Sequence, residues 1–422
     1  MKNLTLRSMC VWMILAIAGC RPAERAGTDR AAADPLPGTV SGTAPPARSG
    51  NPAEPLRYAR VFACSARSRD TAVITVYRPW QGSDAVFTYL LVDSAKASAA
   101  VGASGATPLT APSPGPGAAL PPNTVVIRVP VRRAVTLTTT NLRHLEAVHA
   151  LDALAGVGGG RYVCSPEIRA RLASGRIRDV GDDMHLDLEA ILAIRPDAIF
   201  TFVVGNSSDG GLGKLAEARV PAVIEGSYME ETPLGRAEWI KFTAAFFGKR
   251  AEADSAFAEV DSAYHALVAL ARKAAHRPTV MVGAPFGGVW WVPSGGTYVG
   301  RLLRDAGADY LWASDTTRGS LNLDVEAVLA RAAEAEVWLN AGEWKDLADA
   351  RGKDPRNALF RSWKTGRVYA NDAVLCAGGG RDFFETGASR PDWILADLIA
   401  ILHPELMPGH ALRWYRKLPG PT

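Results

Sequence analysis

Cys20 is the residue whose neighbours most clearly indicate a chemical modification. It follows Ile-Ala-Gly at 17–19, and small residues directly before a cysteine are typical of the cleavage site of a lipoprotein signal peptide. A basic start and an apolar run at 9–18 precede it, and that run is too short for a bilayer, which takes about 20 apolar residues. We therefore expect residues 1–20 to be a signal peptide and the Cys20 thiol to carry a lipid anchor.

The composition excludes some classes of protein. Hydrophobic residues make up 48% of the 422-residue chain, and 47 basic side chains nearly balance 43 acidic ones. A nucleic-acid-binding protein would need a clustered basic face, and the sequence contains no basic run. After the signal peptide, no segment is long and apolar enough to predict a membrane span. We expect an exported protein, held by its lipid on the periplasmic side of a membrane, with no nucleic-acid partner.

Three further cysteines, Cys64, Cys164 and Cys376, remain after signal cleavage. An odd number allows at most one internal disulfide, and the wide spacing leaves open whether Cys164 and Cys376 pair. The chain has no Cys-x-x-Cys motif, so a cysteine-based zinc site is not expected.

Motifs for catalysis or metal binding are scarce. The sequence contains no Gly-x-Ser-x-Gly, His-Glu-x-x-His or Gly-Lys-Ser/Thr motif, and a bare metal ion needs three or four converging ligands. His144, Asp182, Asp183 and His185 are the candidates that lie near the predicted loops, but we interpret them as solvated loop and helix residues. We expect a protein without enzyme activity, without catalytic residues and without a metal or cofactor of its own.

The elements that must position any site change in character along the chain. Residues 21–55, rich in Ala, Pro and Gly, predict a flexible tether that spans on the order of 30 Å. Residues 56–130 carry β-branched and aromatic runs between turn residues, which predicts a small antiparallel sheet. Apolar strands alternate with amphipathic helices in 131–232 and again in 277–422, which predicts two Rossmann-like α/β lobes. Residues 233–276 predict one long linking helix, roughly 60 Å in length.

The two lobes also contain a repeated segment. Residues 185–192, HLDLEAIL, recur as residues 322–329, NLDVEAVL, and each copy precedes an apolar strand. The simpler alternative is ordinary helix-start chemistry, since Asp before an apolar run is a common N-cap. Duplicated α/β lobes that face each other would form a cleft at the carboxyl ends of their strands, where ligands usually bind.

Aromatic side chains are frequent in the loops predicted to line this cleft. Trp290 and Trp291 cannot both face the core of a strand, because alternate side chains point to opposite faces, so one of them is expected to face the ligand. The bland alternative is that these aromatic residues are core or surface residues. An aromatic pocket suits a large planar ligand such as a corrin, a haem or a catechol chelate. The predicted ligand-binding residues are Thr139, Thr140, Asn141, Asp183, Met184, Phe202, Tyr228, Trp290, Trp291, Ser320, Phe383, Phe384 and Arg390.

Several short segments resemble the iron-siderophore and cobalamin substrate-binding proteins of ABC importers. They include RAVTL at 133–137, ALDALAGV at 150–157, IRPD at 194–197 and RPDWILADL at 390–398, within a similarity that covers about 131–418. The resemblance implies two α/β lobes joined by a rigid helix, and a ligand that is an iron or cobalt chelate. It also implies an ABC permease and its ATPase as partners. The sheet predicted at 56–130 departs from the common pattern of this family.

The resemblance further assigns a docking role to two glutamates. Glu189 and Glu326 occupy the same position in the repeated segment, near a helix start. On a two-lobed carrier, such a pair would engage the two subunits of a permease. The simpler alternative is that each carboxylate only complements its helix dipole. We expect a monomer, and we keep two other hypotheses: a periplasmic hydrolase that uses the cleft, and an envelope scaffold lipoprotein without a small ligand.

Overall fold

A computed structural model describes most of the chain that follows the predicted tether. The described residues are 56–68, 70–94, 121, 124–182, 185–203, 212–317 and 319–420. Cys20, Asp183 and Met184, and with them the predicted signal peptide and tether, lie outside the described residues. Among the helices of the described part, none has the length and hydropathy needed to cross a membrane.

The first described segment forms the predicted β-sheet. Its strands are β1 (Phe62–Ala66), β2 (Thr71–Tyr77), β3 (Val86–Asp93) and β4 (Val125–Val129), in the order β1-β2-β3-β4. The first two pairings are antiparallel, as expected, but β3 and β4 are parallel. The expectation of a wholly antiparallel sheet was therefore wrong at this edge. Residues 94–124 between β3 and β4 supply the long connection that a parallel pair requires.

Buried carboxylates attach the N-terminal sheet to the rest of the molecule. Glu238, which is fully buried, accepts hydrogen bonds from the backbone N–H groups of residues 57, 58 and 59 at 2.8–3.0 Å. Glu230 does the same for the N–H groups of residues 60 and 61 and for the indole of Trp239. The β2–β3 turn also approaches both lobes, because Pro79 lies beside Gly226 and Gln81 beside Gly319. The extra sheet is thus part of the same packed body.

The first lobe is built on a parallel sheet. Val135 and Ile199 are fully buried in adjacent strands, and apolar helices cover the sheet. Its strands are β5 (Ala134–Thr136), β6 (Leu154–Val157), β7 (Arg178–Asp179), β10 (Ala198–Thr201) and β11 (Ala222–Ile224), in the order β11-β10-β5-β6-β7. A short hairpin consists of β8 (Gly181–Asp182) and β9 (His185–Leu186). The helices are α1 (Leu142–Ala147), α2 (Pro166–Ala173), α3 (Leu188–Ile194) and α4 (Leu212–Glu217).

The connection between the lobes is helical but not continuous. It consists of α5 (Pro233–Ala237), α6 (Trp239–Phe247) and α7 (Arg250–Ala271). Gly248 ends α6 in the left-handed conformation, with φ of 66°, which glycine adopts at little cost. The prediction of one roughly 60 Å helix was therefore wrong. The long helix is α7, whose 22 residues span about 33 Å.

The second lobe has a mixed sheet with one antiparallel edge. Its strands are β12 (Thr279–Val282), β15 (Asp309–Tyr310), β17 (Val337–Leu339), β18 (Val368–Ala370) and β19 (Arg416–Lys417), in the order β15-β12-β17-β18-β19. A separate three-stranded sheet consists of β13 (Pro285–Phe286), β14 (Val289–Pro293) and β16 (Ser320–Leu323). The helices are α8 (Tyr298–Asp305), α9 (Val325–Ala332), α10 (Leu347–Lys353), α11 (Arg361–Lys364), α12 (Asp382–Glu385) and α13 (Pro391–Leu402).

The strand order shows that the lobes repeat one unit. The series β11-β10-β5-β6 of the first lobe matches β18-β17-β12-β15 of the second, with the first strand of each lobe inside the sheet. The repeated sequence forms α3 and α9. Each of these helices begins with an aspartate N-cap, because Asp187 accepts from the N–H of Ala190 at 2.8 Å and Asp324 from that of Ala327 at 2.7 Å. The predicted α/β fold with two related lobes is confirmed.

Candidate functional site

The first lobe presents a polar edge where β5 ends. Thr138 accepts a hydrogen bond from the N–H of Thr140 at 3.2 Å and thereby starts the 3-10 turn Thr139–Asn141. Asn141 is only 1% exposed, yet neither its amide nitrogen nor its amide oxygen has a hydrogen-bond partner among the described residues. An asparagine side chain carries two donors and one acceptor, and buried polar groups are nearly always paired. Asn141 therefore retains its full capacity to bind a polar group.

The 3-10 turn that ends at Asn141 also lies at the boundary between the lobes. The residues of this turn contact α12 of the second lobe, which begins at Asp382. Asn141 was predicted as a ligand-binding residue on its position after a strand. The structure adds that its amide is buried, unpaired and next to the opposite lobe.

Other polar groups of the first lobe are buried beside this edge. His144 Nδ1 lies 2.9 Å from the hydroxyl of Thr243. Burial, and secondly the charge of Arg236, lowers the pKa of His144 to about 3, so the imidazole is neutral at neutral pH. Glu225 follows β11 and is buried, which raises the pKa of its carboxyl group. The Arg236 guanidinium lies 5.4 Å from the ring centroid of Tyr298 and so joins the first lobe to the second.

The hairpin of the second lobe separates the two adjacent tryptophans. Trp290 is fully buried, donates its indole N–H to the carbonyl of Val282 at 3.0 Å, and packs against Trp338 and Phe360. Trp291 is half-buried on the opposite face of β14. Trp290 therefore belongs to the core of the second lobe, which corrects its assignment to the ligand site. Trp291 remains the candidate for ligand contact.

Other predicted ligand residues are already engaged within the protein. The guanidinium of Arg390 lies 2.6 Å from Asp392 and 3.1 Å from Glu259 of α7, and it stacks on Trp393. Arg390 therefore joins α13 to the linking helix rather than offering a free cation to a ligand. Phe383 and Phe384 are half-buried and contact each other, with ring centroids 5.3 Å apart.

The remaining candidates lie at strand ends. Tyr228 is half-buried and donates its hydroxyl to the carbonyl of Val203 at 2.6 Å, and burial raises its pKa. Phe202 is half-buried directly after β10. Ser320 begins β16 and pairs with Pro293 of β14. The geometry leaves Phe202 and Ser320 as expectations for ligand contact, and it gives Tyr228 a structural bond as well.

The histidines and aspartates considered for a metal site do not form one cluster. His144 is bound to Thr243 in the interior, whereas His185 is exposed and lies 3.6 Å from Asp182 in the β8–β9 hairpin. Within the described ranges, no group of three or more metal-ligating side chains is present. Asp183 lies outside those ranges.

A second junction connects the lobes on the side of β6 and β18. Cys164 and Cys376 form a disulfide with a Cα–Cα distance of 5.1 Å, although 212 residues separate them in sequence. Glu385 of the second lobe accepts from the N–H groups of Cys164 and Ser165, both at 2.8 Å. Burial, followed by the nearby carboxylates of α12 and α1, raises the pKa of Glu385 to about 7, although the two N–H groups act in the opposite direction. Sequence reasoning left the disulfide open and gave no signal for Glu385.

The two glutamates predicted for docking are both on the surface. Glu189 is exposed in the first turn of α3, and Glu326 is 70% exposed in the first turn of α9. Glu326 forms an ion pair with Arg356, whereas Glu189 projects from the corresponding turn of the first lobe. The repeat thus places both carboxylates at equivalent positions of the two lobes.

A family model described as periplasmic binding protein matches residues 135–375, more than half of the chain. The chain belongs to this family of periplasmic binding proteins. Two uncharacterized lipoproteins of Methanocaldococcus jannaschii are each 28% identical to it, over 304 residues (70% of this chain and 70% of that protein) and over 309 residues (69% and 75%). The expected resemblance to substrate-binding proteins of ABC importers is confirmed at the level of the family.

Solved structures show the same fold at low sequence identity. A periplasmic heme-binding protein from Pseudomonas aeruginosa has a TM-score of 0.52 and 22% identity, covering 69% of this chain and 99% of that one. A possible iron-binding periplasmic protein from Staphylococcus epidermidis has a TM-score of 0.51 and 15% identity, covering 65% and 99%. Helicobacter pylori CeuE with Ni(II) bound has a TM-score of 0.51 and 17% identity, covering 68% and 88%.

Proposed function

We propose that this protein is a lipid-anchored substrate-binding protein that captures a bulky metal chelate between its lobes and delivers it to an ABC permease and its ATPase. The ligand classes are a ferric siderophore, cobalamin or haem. The lipoproteins of Methanocaldococcus jannaschii support an anchored location in the cell envelope. The titles of the structural neighbours, which name heme, iron and nickel, support a metal-containing ligand.

The observation that carries the proposal is the buried, unpaired amide of Asn141 at the boundary of the lobes. Leaving a buried amide unpaired costs about 1–3 kcal/mol, which a ligand that binds it would recover. The other buried groups near it include the neutral imidazole of His144. Neutral donors and acceptors on one lobe, and the aromatic Trp291 on the other, suit a large ligand with a polar edge and an apolar face.

Delivery to a permease is supported by the surface of the two lobes. Glu189 and Glu326 are exposed at equivalent positions of α3 and α9. We infer that they enter basic pockets on two permease subunits, and that one copy of this chain docks at a time. Charges at an interface mainly set orientation and association rate, so the glutamates guide docking without taking part in ligand binding.

The first test identifies the ligand. Protein purified from its native host is studied by visible absorbance and mass spectrometry, since a corrin, a haem and a ferric catecholate have different visible bands. The expected result is one intact chelate bound in a near-stoichiometric amount. Conversion of the bound molecule to product would favour the hydrolase hypothesis. Ligand-free protein that also fails to bind haemin, cyanocobalamin and a ferric trihydroxamate would favour the scaffold hypothesis.

The second test replaces the amide at the proposed site. Asn141→Leu, a change of similar size, should stabilise the ligand-free protein by about 1 kcal/mol, because it removes an unpaired buried polar group. The same variant should bind the identified chelate at least tenfold more weakly in equilibrium titrations.

Asn357 provides the matched control for this substitution. It is also buried, but its amide nitrogen donates to the carbonyl of Ala350 at 2.9 Å. Asn357→Leu should therefore lower the free energy of unfolding and leave chelate affinity unchanged. Equal chelate affinity in the wild type and in the Asn141→Leu variant would remove Asn141 from the ligand site.

A further inference from the structure

The disulfide joins the two lobes at a distance from the linking helices. Cys164 lies between β6 and α2 of the first lobe, and Cys376 lies in the loop after β18 of the second. The covalent bond therefore closes a second connection between lobes that the chain already joins through α5, α6 and α7. Two separated junctions restrict the rotation of one lobe against the other more than a single linker does.

Noncovalent contacts surround the disulfide and bring the same two segments together. We call residues 160–165 and 374–385 the clasp. In the clasp, Glu385 binds the N–H groups of two successive first-lobe residues, including the N-cap residue of α2, Ser165. The second-lobe loop fits closely because Gly378 and Gly380 lack side chains. A Cβ atom at these positions would collide with the carbonyl oxygens of Arg161 and Tyr162.

The clasp is open to solvent on its second-lobe side. Cys164 and Cys376 are both half-buried, and the residues on either side of Cys376 are exposed. Leu375, directly before it, is 59% exposed. A dithiol in solution can therefore reach the disulfide without prior unfolding of either lobe, since thiol–disulfide exchange requires access of the attacking thiolate to a sulfur atom.

We propose that the Cys164–Cys376 disulfide is a redox latch on the ligand cleft. When it is oxidised, it holds the lobes at a fixed spacing, and when it is reduced, the clasp loosens and the cleft opens. The inference rests on the proposed function, because it assumes that the ligand lies between the lobes. The geometry around the disulfide is independent of which chelate is bound.

The chemical step is thiol–disulfide exchange with a dithiol reductant. One thiolate of the dithiol attacks a sulfur of the Cys164–Cys376 bond, which breaks that bond and forms a mixed disulfide. The second thiol of the reductant then displaces the protein sulfur. The dithiol loses two electrons and becomes a disulfide, and the two protons that it gives up end on the thiols of Cys164 and Cys376.

The test is backbone amide hydrogen exchange of the full chain, with and without dithiothreitol. Reduction should raise exchange at least tenfold at the clasp amides, including those of Cys164 and Ser165, and at the 3-10 turn Thr139–Asn141 that faces α12. The buried strand β10 should keep its exchange rates. Unchanged exchange at the turn after full reduction would overturn the latch, because the cleft would then stay closed without the disulfide.

Variants make the result specific to this disulfide. The double variant Cys164→Ser/Cys376→Ser should exchange like the reduced wild type and should no longer respond to dithiothreitol. Cys64→Ser changes the cysteine that lies outside the disulfide and should behave like the wild type. If the double variant fails to fold, the reduced wild type still decides the matter, because it is folded before the reductant is added.

Ligand release provides a second readout. With haemin, cyanocobalamin and a ferric trihydroxamate as probes, any probe that binds should dissociate at least tenfold faster after reduction. An equal dissociation rate in the two redox states would overturn the latch even if exchange increases. If none of the probes binds either state, the proposed function fails, whereas the exchange result still decides whether reduction opens the lobes.

Discussion

The two lobes share a strand order but differ in what they present at the cleft. In the first lobe, β5 leads directly into the polar turn that ends at Asn141. In the second lobe, the β13–β14 hairpin is inserted after β12, before the chain reaches the corresponding helix, α8. The first lobe therefore offers buried polar groups, and the second offers aromatic side chains. The comparison teaches that the duplicated unit supplies a scaffold, whereas the loops after its strands set the chemistry.

The largest expected effect concerns the inserted hairpin. Trp290→Ala removes a fully buried indole that packs against two aromatic rings and bonds to Val282. We expect the free energy of unfolding to fall by about 3–5 kcal/mol in urea denaturation. Trp291→Ala, one residue along the same strand but half-buried, should cost about 1 kcal/mol or less. Equal losses in the two variants would contradict the assignment of only one tryptophan to the core.

The second prediction concerns pH and the polar first lobe. The pKa of His144 falls from 6.5 to about 3 on folding, so below pH 6.5 the unfolded chain takes up a proton that the folded chain refuses. Stability is therefore lost as pH falls from about 6.5 towards 3, by up to about 4 kcal/mol. His144→Gln should reduce the loss measured by urea denaturation between pH 7 and pH 4. His185→Gln, at a residue whose side chain is 88% exposed, should leave the loss unchanged.

The second lobe contributes to the pH profile with the opposite sign. The pKa of Glu385 rises from 4.5 to about 7 on folding, so the unfolded chain loses this proton at lower pH than the folded chain does. Its contribution to stability is present below pH 4.5 and is lost as pH rises to about 7. The two lobes thus oppose each other between pH 4.5 and 6.5. A His144→Gln variant that retained the full wild-type loss in acid would contradict this division.

Local patterns in the sequence predicted much of the fold. The β-branched run at Thr71–Tyr77 forms a strand because its alternate residues, such as Ile74 and Val76, fill one buried face. The two N-cap aspartates of the repeat mark real helix starts, since an aspartate at such a position bonds to an N–H only three residues away. The break at Gly248 was missed, because helical spacing continues on both sides of it.

Contacts between distant residues could not be predicted in the same way. Cys164 is 212 residues from Cys376, and Glu385 is 220 residues from the Ser165 N–H that it binds. No local pattern carries that information, because the two segments meet only after both lobes have folded and docked. The unpaired state of Asn141 is likewise a property of its surroundings, since the residue type alone predicts only that it prefers to be hydrogen-bonded.

The third prediction returns to the hairpin and its ligand-facing side. Trp291→Ala should weaken chelate binding by about 1–3 kcal/mol, the usual cost of removing one aromatic contact from a ligand or an interface. Isothermal titration with the chelate identified from the native host measures this loss. Trp312→Ala serves as a control for general loss of a tryptophan in the same lobe, and it should lower stability without a comparable loss of affinity. Wild-type affinity in Trp291→Ala would move the aromatic wall to another residue.

The smallest expected effect on stability concerns the two exposed glutamates, where the lobes are most alike. Reversing the charge of a first-turn carboxylate costs about 0.3–1 kcal/mol through the helix dipole, and the exposed ion pair of Glu326 with Arg356 adds little. The double variant Glu189→Arg/Glu326→Arg should therefore stay folded and keep its chelate affinity. Chelate uptake by cells that carry it should nevertheless be abolished.

The reason for this separation of effects is the position of the glutamates. Both lie on the outer surface at the first turn of α3 and α9, so a permease with two equivalent subunits would meet one carboxylate from each lobe. Glu334→Arg, at an exposed residue just after α9, is the matched control and should support normal uptake. Normal uptake by the double variant would refute the docking role. Lost chelate binding would instead place the two glutamates in the ligand site, and the lobes would then be alike in binding as well as in scaffold.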